Sequence, residues 1–188
     1  MRKWVMMSSV VCLGMGMTVA QANQAPVQVS LVTPLQVVAP ETSVTGLRLN
    51  LIYGRNENVS GVDIGLFNNT SGAFTGYGMG LVNYTGSELY GGQEGLVNWV
   101  RQNAQGIQAG AVNKVGEQLA GGQFGLVNWT DAMEGVQLGL FNRAADAVGI
   151  QVGLLNMTQH LSGVQIGVLN VVSRREHFRA MPILNLAW

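Results

Sequence analysis

An all-β repeat protein is the fold class that this chain predicts, and three observations predict it. An eight-residue unit, G-x-Q-x-G-L-V-N in average form, recurs with its first glycine at 46, 61, 76, 91, 106, 121, 135, 149 and 163. The spacing is 15 residues five times and then 14 three times, a period so short that each unit can hold only repeated β-structure. Within the unit, positions two, four and six are apolar in most copies (Val62, Ile64, Leu66; Val136, Leu138, Leu140; Ile150, Val152, Leu154), while positions one, three and five carry Gly, Gln and Gly. That is the period-two signature of a strand with two unlike faces. Position eight is asparagine from Asn68 and Asn83 through Asn156 and Asn170, and no helical period follows residue 22.

Arg2 and Lys3 precede the apolar run Trp4 to Val19, and Ala20-Gln21-Ala22 supplies a small-x-small cleavage pattern, so residues 1–22 read as a secretory signal peptide. The only cysteine, Cys12, lies inside it, which leaves the exported chain from Asn23 without disulfides or thiolate metal sites. Residues 23–45 alternate Val27, Val29 and Leu31 before Pro34 and Pro40, an extended lead-in expected to cap or plug the repeat domain. That domain, 46–188, opens on Gly46 to Arg55, where Leu47, Leu49 and Leu51 alternate with Arg48 and Asn50. Nine copies give nine strands and Phe178 to Trp188 a tenth.

Two architectures use ten such units. In an antiparallel meander, Ser71-Gly72, Gly86-Ser87 and Gly116-Glu117 fall where two-residue hairpin loops belong, with glycine placed for a type II′ turn. Phe67 then faces Gly76 and Val82 faces Gly91, and the 14-residue spacings call for three-residue loops such as Ala144-Ala145-Asp146 and Thr158-Gln159-His160. With no helix to cover the apolar face, such a meander closes into an outer-membrane-type β-barrel, Val, Ile and Leu toward lipid. The alternative is a parallel β-solenoid, in which asparagine stacks on asparagine and glutamine on glutamine, and the face of Val, Ile and Leu forms a dry core. The barrel is the leading expectation, although Tyr84, Trp99 and Trp129 fall on its interior face.

The G-x-Q-x-G-L-x-N units, the lead-in GLRLNLIYGRN and the closing P-I-x-N segment with an aromatic end resemble the uncharacterised exported surface-repeat proteins of Gram-negative bacteria. The likeness covers roughly residues 25 to 188. It implies a surface or outer-membrane location and brings no assigned activity and no site residues.

Composition removes several function classes. Ten basic and ten acidic side chains cancel, so no electrostatic case exists for nucleic acid. Only 11% of residues are charged against 47% hydrophobic, so the charged coat of an ordinary cytosolic domain is missing. His160 and His177 have no acid at a suggestive spacing, no His/Cys/Asp/Glu cluster suits a metal, and Gly76-Tyr77-Gly78-Met79-Gly80 lacks the helix that a phosphate loop needs. No cofactor and no enzymatic activity are expected. The candidate functional residues are those of the polar face, expected to line a lumen in the barrel: Arg48, Asn50, Asp63, Gln93, Gln108, Lys114, Gln123, Gln137, Arg143, Gln151 and Gln165. The expected role is a non-enzymatic outer-membrane or surface β-protein, structural or weakly pore-forming, in contact with outer-membrane lipid or the cell surface. The alternative is a soluble or surface-attached solenoid acting as an interaction module.

Overall fold

The computed structural model describes residues 24–176 and 179–187. The expected leader with Cys12, and the residues His177, Phe178 and Trp188, lie outside them. The described chain is extended throughout, in twelve strands: β1 (Gln24–Val32), β2 (Leu35–Gln36), β3 (Ser43–Asn56), β4 (Val59–Thr70), β5 (Phe74–Met79), β6 (Val82–Thr85), β7 (Leu89–Val100), β8 (Ala104–Val115), β9 (Gln118–Leu138), β10 (Phe141–Thr158), β11 (His160–Val172) and β12 (Ala180–Ala187).

Coil lies on coil in parallel, each residue over its counterpart one repeat away: Gly91 on Gly106, Gln93 on Gln108, Asn98 on Asn113. The chain is a parallel β-solenoid, and the expected antiparallel barrel is overturned. Phe67 pairs with Val82 instead of facing Gly76, Gly76 stacks on Gly61, and Val82 pairs with Val97 rather than facing Gly91. The glycine-bearing dipeptides are turns within a coil, bonded to the coil before: Ser87 N–H donates to Gly72 and Glu117 N–H to Gln102, both at 3.0 Å. Glycine suits either kind of turn, so turn chemistry alone did not discriminate. The change of period also falls in this turn, in the opposite sense to the hairpin expectation. Copies of 15 residues place three residues between the inward positions of this edge, such as Ser71-Gly72-Ala73 between Thr70 and Phe74, and copies of 14 place two, such as Asp131-Ala132 within β9 between Thr130 and Met133.

Which side faces in is settled by burial. The inward columns are the glutamines of position three, the asparagines of position eight, position ten (Thr70, Thr85, Val100, Val115, Thr130) and the residue two before each repeat glycine (Val59, Phe74, Leu89, Leu119, Met133). The Val, Ile and Leu of positions two, four and six point out, with Ile64 at 43% and Leu154 at 55% exposed. The expected dry core of these residues is therefore also corrected. The true apolar core is a narrower column, running from Val44 to Ala147 beside the amides.

The polar interior is stable because each amide meets its own kind. Gln108, Gln123, Gln137, Gln151 and Gln165 each donate from Nε2 to the Oε1 of the glutamine one coil before, at 2.7 to 3.1 Å. The asparagines donate the other way: Asn83 Nδ2 to Asn98 Oδ1 at 2.8 Å, Asn98 to Asn113 at 2.9 Å, and onward to Asn170. The second Nδ2 proton goes to a backbone carbonyl of the following coil, as from Asn98 to Ala109 at 2.9 Å. Two ladders of opposed polarity run side by side, so their amide dipoles offset one another while the buried groups stay paired.

Both glycines of the unit are explained by this packing. All nine first glycines, 46 to 163, hold φ between 126° and 144°, and a Cβ on Gly121 would sit 2.0 Å from the Gly106 carbonyl oxygen. The position-five column has a different reason: a Cβ on Gly125 would lie 1.9 Å from Gly110 O and 2.7 Å from Asn113 Nδ2, inside the asparagine ladder.

The ends close differently. The lead-in is a further coil, since β1 pairs in parallel with β3 and places Gln28 and Ser30 beside Arg48 and Asn50, with β2 folding back antiparallel on it. It lies on the stack as its first coil and not as a plug. At the other end β12 runs antiparallel to β11, Asn185 donates to Gln165 at 3.1 Å, and Arg175 donates to Asn185 Oδ1 at 2.7 Å, so a guanidinium ends the glutamine ladder.

Candidate interaction surface

The expected polar-face residues separate into two groups. Arg48, Asn50, Asp63 and the glutamines Gln93, Gln108, Gln123, Gln137, Gln151 and Gln165 come together, and all are buried. They fill the interior and line no lumen. In the first coils the glutamine column is replaced by an ion pair: Arg48 Nε donates to Asp63 Oδ1 at 2.8 Å, and its other nitrogens reach Thr70 Oγ1 at 3.0 Å and the Asn69 carbonyl at 2.9 Å. Asn50 stands where later copies have the position-five glycine, and Gly54 leaves the space it needs. Asn50 thus joins Asp63 at 3.0 Å to Asn68 at 2.8 Å and starts the asparagine ladder. Gly78 occupies the next glutamine place and Phe74 packs over it, so Gln93 turns to Thr85 Oγ1 at 3.0 Å. These side chains satisfy one another, which makes them scaffold.

Lys114 and Arg143, assigned to the same face from alternation alone, are outside. The alternation breaks at the corner between positions six and seven, where Leu66 and Phe67 are both exposed, and beyond it the outward positions become seven and nine. Lys114 Nζ lies 5.0 Å from the centre of the Trp99 ring and Arg143 Cζ 4.2 Å from that of Trp129. Tyr84 meets Trp99 edge to face at 5.5 Å. The aromatic residues that were misfits in a barrel interior are thus an outer row, one outward place away from the corner.

The apolar outer face, which the barrel expectation had turned toward lipid, is the unusual feature of this surface. Positions two, four and six carry a single charge over all nine copies, Glu94, which accepts a hydrogen bond from the Tyr77 hydroxyl. That bond, with desolvation and the carboxylate charge, raises the tyrosine pKa. Position seven adds Phe67, Val82, Val97, Val112, Val127 and Phe141 on the other side of the corner. At ~4.8 Å per coil and ~3.3 Å per residue, this face is roughly 40 by 15 Å, or about 600 Å² before the position-seven row is added. That reaches the upper end of the largest patch found on ordinary monomers, about 300–600 Å². Because position five has no side chain, the rows at four and six flank a trough along the axis. Over the first coils it widens to a groove of about 860 Å³ between Val29, Leu49, Ile64 and Met79 on one wall and Leu31, Leu51, Leu66 and Leu81 on the other.

Charge collects on the opposite edge, where the coil turns back. Glu88, Arg101, Glu117, Asp131, Glu134 and Asp146 are there, and Glu88 and Glu134 line a second groove of about 400 Å³. His160 is there too, with Nδ1 2.6 Å from Asp146 Oδ1. Spacing along the chain gave this histidine no acid partner, yet Asp146 lies one coil below it. Both are more than half exposed. Among the described residues no group of three or more His, Cys, Asp or Glu could hold a metal ion. No protein-family model, curated protein or solved structure matches the chain.

Proposed function

We propose that this protein is a non-enzymatic interaction module, an exported or surface-attached rod that works through its apolar outer face. One observation carries the reading: an interior filled by amide ladders and a narrow apolar column supports a surface on which leucine, isoleucine and valine are turned outward coil after coil. Burying a large side chain ordinarily contributes about 1.5–3 kcal/mol, and here roughly half of that contribution is left unused by the fold and open to a partner. Export is supported by the N-terminal pattern of Arg2, Lys3, an apolar run and Ala20-Gln21-Ala22. The resemblance to exported surface-repeat proteins points the same way. A channel role has no support, since the interior is filled.

The test compares the purified chain with a Leu126→Glu/Leu140→Glu variant, whose changes lie outside the core. The wild type is expected to co-migrate with nonionic detergent micelles and the variant to remain in the aqueous phase with an unchanged circular dichroism spectrum. Equal aqueous partitioning of both would sink the reading. Fractionation of cells expressing the tagged chain tests export separately, and retention in the cytosol would refute it.

A further inference from the structure

We propose that the partner of this face is an anionic phospholipid surface, on which the C-terminal half of the solenoid lies lengthwise. The inference rests on the interaction-module reading above and adds what it leaves open. From Gly106 to Val168 the outward places two, four and six hold no charge at all, whereas the N-terminal half holds Glu94. Along the rim of this uncharged face, one outward place past the corner row, stand Trp99, Lys114, Trp129 and Arg143.

Indole rings beside cations are the combination that suits the boundary between acyl chains and headgroups, where an amphipathic ring has its body in hydrocarbon and its N–H in the polar layer. The cations are held over the rings, at the level where lipid phosphates would lie. Charge is also sorted by sign. In these coils the rim carries only the cations Lys114 and Arg143, while the far edge is net negative, with Glu117, Asp131, Glu134 and Asp146 against Arg174, and Arg101 one coil earlier. A negative lipid surface attracts the rim and repels the far edge, and both effects orient the same face downward. A second copy packed face to face would supply apolar area equally well, but it would give the sorting of charge no role.

The experiment is flotation of the purified chain with vesicles of phosphatidylcholine alone and of phosphatidylcholine with phosphatidylglycerol, at low and high salt. The wild type is expected to bind the anionic vesicles at least tenfold more strongly at low salt, and to lose that preference in high salt. Lys114→Gln and Arg143→Gln are each expected to weaken anionic binding about fivefold, leaving binding to neutral vesicles unchanged. Bromine on the acyl chains is expected to quench the indole emission, and less so in Trp99→Phe/Trp129→Phe. Equal binding to both lipids by wild type and charge variants would overturn the assignment. So would micelle binding without vesicle binding, or a stable dimer that ignores vesicles, and both of those would leave the interaction-module reading intact. Failure to bind micelles as well would remove both.

Discussion

Gln123 and Phe124 are neighbours in the chain, and the polar one is fully buried while the aromatic one is 38% exposed. The same exchange holds along the stack, at Gln137 and Leu138 and again at Gln165 and Ile166. The comparison teaches that burial here follows satisfiability and not hydrophobicity. A buried primary amide costs a few kcal/mol when unpaired, and in a stack of identical coils each amide finds the next amide at hydrogen-bond distance. A leucine in the same narrow space would pack against leucine equally well, but it gains as much or more from an external partner. The inside is held by register and the outside by nothing in the chain.

If register holds the inside, the largest loss comes from an inward change that prevents stacking altogether. Gly121→Ala places a Cβ 2.0 Å from a carbonyl oxygen at a φ of 139°, where neither the backbone nor its neighbour has room to give. A loss of about 4 kcal/mol or more is expected, read by thermal and urea denaturation. Gly46→Ala, equally strained but near the end of the stack, is expected to cost less, because an end coil can fray without parting the rest. Equal losses at the two sites would mean that the coils do not behave as a chain of neighbours.

A smaller effect separates charge from register. Arg48→Met leaves the Asp63 carboxylate buried without its guanidinium, at an expected cost of about 3–5 kcal/mol. In the double variant Arg48→Gln/Asp63→Gln two glutamines form a separate short ladder beside Gln28, before the break at Gly78, and most of that loss is expected to return. A double variant no more stable than Arg48→Met would show that the ion pair is more than a replacement for two rungs.

Much of the fold was legible in the residues alone. The strands, the repeat boundaries, the absence of helix and the in-register stacking of asparagine as one of two outcomes all come from period and composition. The inward face was legible in the barrel expectation, which turned Gln and Gly in and Val, Ile and Leu out; the solenoid alternative reversed it, with hydrophobicity as the wrong guide. A better one was present in the invariance of Asn68 through Asn170 and the recurrence of glutamine, since a residue that only faces water has no reason to be amide every time. Lys114 and Arg143 were misplaced because period-two counting was carried across the corner at positions six and seven, where two successive residues face out. The pairing of His160 with Asp146 was invisible for a related reason, as residues a full repeat apart become neighbours only once the coils are known to stack.

The smallest stability effect belongs to the outer face. Leu126→Ser and Leu140→Ser remove side chains that are 54% and 51% exposed and touch no ladder, so each is expected to change folding stability by no more than about 0.5 kcal/mol. An ordinary core leucine would lose several times as much. The same pair is expected to reduce self-association and surface adsorption, measured by light scattering at matched concentration, since those depend on what the face offers to others. A loss of about 2 kcal/mol or more at either site would mean that the outer leucines hold the coils together after all, and the contrast between the two sides would fail.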